Sequence, residues 1–169
     1  MKAEQFSKSY QARALDKADV HDIYTLEIGN PLYFQWCPPV VTEEAVVEDM
    51  ESLPPGKTMQ DKYYVGFYQN EKLTAVMDLI DGYPEEGTAF IGFFMVDHCA
   101  QGHGIGSRMI NELCIYLADL KYQSVQLAWI KGNPQAEHFW KKNSFLPVKE
   151  TVSNTKMQVI LAQRTLASK

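Results

Sequence analysis

The sequence lacks long apolar runs, has few cysteines, and carries fewer basic than acidic residues. No window approaches the ~18 consecutive apolar residues of a membrane-spanning helix, and the first twenty residues lack the apolar core of a signal peptide. The 16 Lys and Arg against 21 Asp and Glu give a net charge of -5, which argues against a nucleic-acid partner. Cys37, Cys99 and Cys114 have no CxxC spacing, so they predict reduced thiols and no zinc site. These absences predict a cytoplasmic protein without a bound metal.

The chain is long enough for one domain and offers no place to divide it. It has 169 residues, of which 46% are hydrophobic, a proportion that supports one large core. It contains no internal repeat, no low-complexity tract and no linker. We therefore predict a single domain over residues 1–169.

The apolar patterning predicts strands and helices in mixed order. Helices are expected over 16–28, from Thr42 as N-cap, over 107–120, and from Asn133 with Pro134 at its first position. The segment 29–39 reads as an aromatic loop. Strands are expected at QARAL, KYYVGFY, LTAVMDLI, TAFIGFFMV, VQLAW, FLPV and KMQVILA. This order predicts an α/β (α+β) fold with a mixed, mostly antiparallel sheet of about six to seven strands. Helices should cover both faces, and VQLAW should lie parallel to TAFIGFFMV.

A run of glycines follows the most apolar strand. TAFIGFFMV is apolar at every position but Thr88, which predicts a central strand, and Gly102, Gly104 and Gly106 follow within ten residues. In a strand–loop–helix unit, glycines let main-chain N–H groups approach phosphate oxygens at a helix N-terminus. A tight connection that binds nothing is an equally good interpretation of the glycines alone. The spacing matches neither a Walker A loop nor a dinucleotide-binding fingerprint.

Two motifs together resemble the GNAT superfamily of N-acetyltransferases. Gln101, Gly104 and Gly106 match its [QR]-x-x-G-x-[GA] signature. A second signature, N-x-x-A-x-x-F-[YW]-x-K-x-x-F, is matched in order by Asn133, Ala136, Phe139, Trp140, Lys142 and Phe145. The order of strands and helices from Ala14 onward agrees as well, so the resemblance covers nearly the whole chain.

The resemblance implies acetyl-coenzyme A as co-substrate and a site for it. FFMV should splay from its parallel neighbour at a bulge, as the two strands do in this family. The implied cofactor residues are Phe94, Met95, Val96, Gln101, Gly102, His103, Gly104, Ile105, Gly106, Ser107, Asn133, Phe139, Trp140 and Lys142.

The catalytic and acceptor residues are less well defined. Many family members use a Tyr as the acid where this chain has Trp140, and TAFIGFFMV carries no Glu as base. Asp78, Asp81, Asp97 and His98 remain as base candidates and Tyr83 as a substitute acid, and we select Asp78, Asp81 and Tyr83 as catalytic candidates. Asp78 could equally lie on a solvated face, and Asp81 could merely begin a turn. Tyr33 and Trp36, in the aromatic loop, are candidates for the acceptor pocket or for the core.

The sequence thus predicts an N-acetyltransferase that moves the acetyl group of acetyl-CoA to a primary amine by direct attack in a ternary complex. The acceptor could be a small molecule or a peptide, and a second copy of the chain could be a partner. Two alternatives stay open: a coenzyme-A-binding sensor or regulatory module of the same fold, and a structural domain whose glycine loop holds nothing.

Overall fold

A computed structural model describes residues 1–166; residues 167–169, the end of the predicted domain, lie outside the described residues. The strands are β1 (Gln11–Ala14), β2 (Lys62–Gln69), β3 (Lys72–Asp81), β4 (Thr88–Val96), β5 (Ser124–Ile130), β6 (Leu146–Val152) and β7 (Gln158–Thr165). The helices are α1 (Val20–Ile28), α2 (Pro31–Trp36), α3 (Glu43–Glu51), α4 (Ile105–Asp119) and α5 (Pro134–Lys142).

The strands form one mixed sheet in the order β1-β2-β3-β4-β5-β7-β6. β4 and β5 are parallel because α4 crosses over between them, and the other neighbouring pairs are antiparallel. The predicted fold class, with its parallel pair inside a mostly antiparallel sheet, is therefore confirmed.

The two faces of the sheet bury different sets of side chains. Alternate residues of a strand point to opposite faces, so Met77 packs with residues of α4, whereas Val76 packs with residues of α1 and α3. We call these the α4 face and the α1 face. Each face buries an apolar core of its own, and the α1 face also carries polar side chains that are considered below.

Among the differences from the sequence-based prediction, two concern the helix α2 and the start of α4. The expected aromatic loop contains the short helix α2, which Pro31 begins at its first position; none of its residues is buried. Helix α4 begins at Ile105, two residues before the predicted Ser107, because Gly104 takes a left-handed conformation and serves as N-cap. The predicted caps of α3 and α5 are confirmed: Thr42 accepts from the N–H of Ala45, and Asn133 accepts from that of Ala136.

Within residues 1–166, no helix has both the length and the apolarity needed to cross a membrane.

Candidate active site

The parallel strands β4 and β5 separate in the middle of the sheet. They are paired from Thr88 with Ser124 to Ile91 with Leu127, and beyond that point β4 pairs only with β3. The separation explains why Phe93 and Phe94 are only half-buried, although the sequence predicts a strand buried on both faces. It leaves main-chain groups of β4 free to bind a ligand.

A bulge at Gly92 marks the start of this separation. On β3, Asp78 pairs with Phe93 and Leu79 with Ile91, so Gly92 has no partner on that strand. Gly92 is exposed, and a Cβ built there would lie 2.7 Å from Oδ2 of Asp78. A side chain at position 92 would therefore collide with the Asp78 carboxylate.

A cavity of about 520 Å³ opens between the separated strands and reaches the N-termini of α4 and α5. Most of the cofactor residues that the resemblance implies line it. These are Phe94, Met95, Val96, Gln101, Gly102, Gly104, Ile105, Gly106, Ser107, Asn133, Phe139, Trp140 and Lys142, and the acceptor candidate Tyr33 lies there too. His103 and Trp36 do not line it.

Glycine is needed at the three loop positions for two different structural reasons. Gly102 and Gly104 have φ values of +82° and +75°, which residues with a side chain rarely adopt. Gly106 is helical instead, and a Cβ there would lie 3.2 Å from the Phe139 ring and 3.3 Å from the Val96 side chain. The first two glycines shape the turn, and the third lets α4 approach α5 and β4 closely.

The loop delivers the N-terminus of α4 to the cavity. The N–H of Arg108 donates to the Gly104 carbonyl, so the N–H groups of residues 105 to 107 precede the intrahelical ladder. These groups, with the positive end of the helix dipole, favour an anion. Asn143 supports the turn from α5 by donating to the Ser107 hydroxyl at 3.1 Å.

The Gln101 side chain joins the glycine loop to the segment between α1 and α2. Its amide donates to Oδ1 of Asn30 at 2.6 Å and to the Val96 carbonyl at 2.9 Å. Asn30 is buried and in turn donates to the carbonyl of Leu26 at 2.9 Å. The glutamine of the first motif therefore links the end of β4 to the α1 face through its side chain.

Aromatic rings from α5 form the other wall of the cavity. Phe139 stacks on Phe94 with ring centres 6.1 Å apart, and Trp140 packs edge-on against Phe139 and Phe145. Trp140 is 9% exposed, so most of the indole, which stands where many relatives have the acid, is buried by aromatic contacts.

Asp78 lies on the α1 face and does not itself line the cavity, but its carboxylate lies against Gly92, which does. Its Oδ2 forms an ion pair with Lys62 at 2.8 Å, whereas its Oδ1 is buried without a hydrogen-bond partner. Loss of water raises the pKa of the Asp78 carboxyl, and the nearby Lys62 opposes that rise. The carboxylate touches the position that Gly92 leaves open, and Gly92 itself lines the cavity.

The structure brings neither Asp81 nor Tyr83 to the cavity. Asp81, three residues after Asp78, accepts a hydrogen bond from the Tyr122 hydroxyl, and the Tyr83 ring packs on Phe90 with ring centres 5.5 Å apart. None of these residues lines the cavity.

Two further base candidates take different positions. His98 lines the cavity and is exposed. Asp97 pairs with Lys72 at 2.5 Å and accepts from the N–H of Cys99. Although loss of water opposes ionisation, these two contacts lower the pKa of Asp97.

Several residues near the cavity were not identified from the sequence. Cys37 and His138 line it, and Glu27 and Tyr64 lie buried on the α1 face. Glu27 gives no signal in the sequence because one acidic residue in an acidic helix resembles a solvated side chain. Asp78 could be identified because it interrupts an apolar strand.

The chain matches the model of the acetyltransferase (GNAT) family over residues 20–145, which is more than half its length. It therefore belongs to the GNAT family and is an acyltransferase. No curated protein sequence matches it.

Solved structures share the fold over nearly the whole chain. An acetyltransferase from Thermus thermophilus is 18% identical with a TM-score of 0.76, over 93% of this chain and 97% of that one. Spermidine N-acetyltransferase from Vibrio cholerae, solved with CoA and spermine, is 17% identical with a TM-score of 0.70, over 94% and 96%. The ribosomal-protein-S18-alanine N-acetyltransferase of Escherichia coli is 14% identical with a TM-score of 0.67, over 95% and 96%.

Proposed function

We propose that the protein is an N-acetyltransferase that binds acetyl-CoA in the cavity between β4 and β5 and transfers its acetyl group to a primary amine. The observation that carries the proposal is the convergence of the separated strand pair with the N-terminus of α4. The N–H groups of residues 101–107 would hold the pyrophosphate. Main-chain groups of residues 94–96 that β5 leaves unpaired, other than the Val96 carbonyl that Gln101 binds, would hold the pantetheine and the thioester carbonyl. Aromatic rings of α5 would cover the cofactor's other side.

The acceptor reacts from the α1 face, and Asp78 serves as its base. An alkyl ammonium has a pKa near ~10.4, so at pH 7 it must lose a proton before its nitrogen can attack. The ammonium group first gives one proton to the base, and the neutral nitrogen then attacks the thioester carbon and forms a C–N bond. As the C–S bond breaks, the nitrogen loses a second proton, and the departing thiolate takes up that proton and leaves as a thiol. Asp78 takes the first proton that the nitrogen releases, because its carboxylate is adjacent to the space that Gly92 leaves open. The step needs no covalent enzyme intermediate.

The acceptor class has two precedents among the structural neighbours. One neighbour is named for spermidine and another for an alanine of a ribosomal protein, so a small amine and a protein N-terminus are both candidates. A cytoplasmic location, a single domain over 1–169 and a homodimer remain predictions.

Trp140 favours a second candidate function. The indole occupies the place where many relatives have an acidic phenol, and its N–H does not ionise usefully. A coenzyme-A-binding module of the same fold would retain the cavity without turnover.

Two measurements test the proposal together. Acetyl-CoA at ~100 times its dissociation constant should stabilise the protein by about 2.7 kcal/mol, seen as a higher Tm. Thiol release with a panel of amines should then detect transfer. A shift without thiol release for any amine would support the binding module instead, and no shift would contradict both functions.

A further inference from the structure

The α1 face carries a set of acidic and phenolic side chains, of which two are buried (Glu27 and Tyr64), Asp78 is half-buried and Asp49 is exposed. Glu27 of α1, Asp49 of α3, Tyr64 of β2 and Asp78 of β3 form this acidic cluster. They influence one another electrostatically: the charges of Glu27, Asp49 and Asp78 all act on the Tyr64 hydroxyl. Lys62 of β2 is the basic residue within it, so three carboxyl groups face one ammonium group.

The cluster contains most of the unpartnered polar atoms in the described part of the chain. Four buried side-chain nitrogen or oxygen atoms there have no hydrogen-bond partner, and three of them are Oε1 of Glu27, the hydroxyl of Tyr64 and Oδ1 of Asp78. Glu27 is 3% exposed and Tyr64 is 6% exposed. Burial of such groups without partners is costly. Carboxylate and hydroxyl oxygens in this arrangement fit a cationic donor, and an ammonium group has three N–H donors and no acceptor.

Lys62 does not supply that donor. Its side chain is 1% exposed, and Nζ donates to Asp78 Oδ2 at 2.8 Å and to the Ser52 carbonyl at 2.9 Å. Across residues 1–166, no ion pair involves Glu27 or Asp49. Lys62 is therefore bound at the Asp78 end of the cluster, and the Glu27 end has no counterion among residues 1–166.

The spacing of the cluster fits an extended organic cation and not a metal ion. Among the described residues, no three His, Cys, Asp or Glu side chains converge to hold a metal. Tyr64 lies directly opposite Asp78 on the neighbouring strand, and neighbouring strands are about 4.8 Å apart. Tyr64 is thus one strand further from the cavity than Asp78, a span that a short alkyl chain covers.

Tyr33 lines the cavity and lies near enough to Glu27 and Asp49 for their charges to act on its hydroxyl. Its ring lines the cavity and packs edge-on against Phe93, with ring centres 5.8 Å apart. Loss of water, the neighbouring Cys37 and the charges of Glu27 and Asp49 all raise the pKa of its hydroxyl. Tyr33, on the short helix α2, therefore lies close both to the cavity and to the Glu27 carboxyl group, which does not itself line the cavity.

We propose that the acceptor is an aliphatic diamine. One amine group lies beside Gly92 and Asp78, where it is acetylated. The second, as an ammonium group, passes Tyr33 and binds the Glu27 carboxylate and the Tyr64 hydroxyl, with Asp49 adding negative charge nearby. This inference rests on the proposed function, and it selects a small dicationic acceptor over a protein N-terminus.

Binding of two probes that differ in one ammonium group tests the inference. Calorimetric titration of the coenzyme A complex would compare 1,4-diaminobutane with butylamine. We expect the diamine to bind at least about tenfold more tightly, as one additional hydrogen bond to a charged group provides. Glu27→Gln should bring the two affinities to within about threefold of each other. Asp22→Asn, an exposed carboxylate of the same helix, is the matched control and should keep the preference.

Steady-state kinetics supply a second readout. In Glu27→Gln the KM for the diamine should rise about tenfold with kcat and the KM for acetyl-CoA unchanged. Equal affinity of the unsubstituted protein for both probes would overturn the inference, as would a preference that survives Glu27→Gln in a variant that still binds coenzyme A. Absence of turnover with a retained, Glu27-dependent diamine preference would instead contradict only the proposed acetyl transfer.

Discussion

The two sides of the cavity offer a ligand different kinds of chemical group. On the α4 side these are main-chain N–H groups, placed by Gly102, Gly104 and the start of a helix. On the α1 side they are side-chain oxygens of Glu27, Tyr64 and Asp78, which lie behind the residues that line the cavity and are buried without hydrogen-bond partners. A main-chain site depends on backbone shape and tolerates many side chains, so a whole family can share it. A side-chain site depends on a few residues, and it is where one member can differ from another.

The largest expected effect comes from removing the proposed base on the α1 side, which should impair catalysis and leave cofactor binding on the α4 side intact. Asp78→Asn should lower kcat by about 10²- to 10⁴-fold, as the loss of a general base does, and leave the affinity for acetyl-CoA unchanged. Asparagine retains an oxygen that can accept from Lys62, and a melting curve checks the fold. A larger loss in Asp81→Asn would instead assign the base to Asp81.

A substitution in the glycine loop should affect the opposite side. Gly104→Val forces a β-branched residue to φ +75° and displaces main-chain donors, so the acetyl-CoA affinity should fall more than about hundredfold. Gly56→Val is a matched control, because Gly56 has φ +79° and, like Gly104, no atom within 4 Å of a built Cβ. Both variants should lose similar stability, and only the first should lose the melting shift. If acetyl-CoA raised the Tm of both variants equally, the pyrophosphate would have to bind elsewhere.

The pH dependence of the free energy of unfolding reports on the ionisation of Glu27 on the α1 side. Burial, with a contribution from Asp49, raises the pKa of Glu27 from 4.5 to about 7. Because the folded-state pKa is the higher one, Glu27 destabilises the fold increasingly as the pH rises from about 4.5 to about 7. Glu27→Gln should therefore raise the free energy of unfolding by about 3 kcal/mol at pH 8 and change it little at pH 4. Denaturant titrations at both pH values test this, and an equal gain at the two would contradict the assignment.

The smallest expected effect concerns Gln101, whose side chain links the α4 side of the cavity to the α1 side. Gln101→Ala removes the bonds to Asn30 and to the Val96 carbonyl, which should lower the free energy of unfolding by about 1–2 kcal/mol. The same change should lower the affinities for acetyl-CoA and for the acceptor together, because it loosens both the glycine loop and the start of α2. A lower affinity for acetyl-CoA alone would mean that Gln101 does not couple the two binding sites.

The sequence was informative where a local rule determines the structure. The spacing of Gly104 and Gly106, the Asn133–Pro134 helix start and the apolar run of β4 each have a physical cause within a few residues. The short helix α2 was missed because six residues that begin with a proline are too few to show helical periodicity. Helix α4 was placed two residues late because an N-terminal glycine cap leaves no side-chain signal.

The acidic cluster could not be predicted for a different reason. Glu27, Asp49 and Lys62 each look like solvated charges in their own element, and only the packing of α1 and α3 over the sheet makes two of them, Glu27 and Lys62, buried. Asp78 was among the candidates because a carboxylate inside an apolar strand is unusual in itself. Its ion pair and its position behind Gly92 depend on strand register, which composition does not give.

The bulge glycine also limits how this chain can diverge. At position 92 even a methyl group requires a neighbour to move, since its carbon would lie 2.7 Å from a carboxylate oxygen of Asp78. One alanine there would push Asp78 aside while leaving the loop before α4 intact. Under the proposed role of Asp78, that single substitution is expected to abolish acetyl transfer while acetyl-CoA still binds.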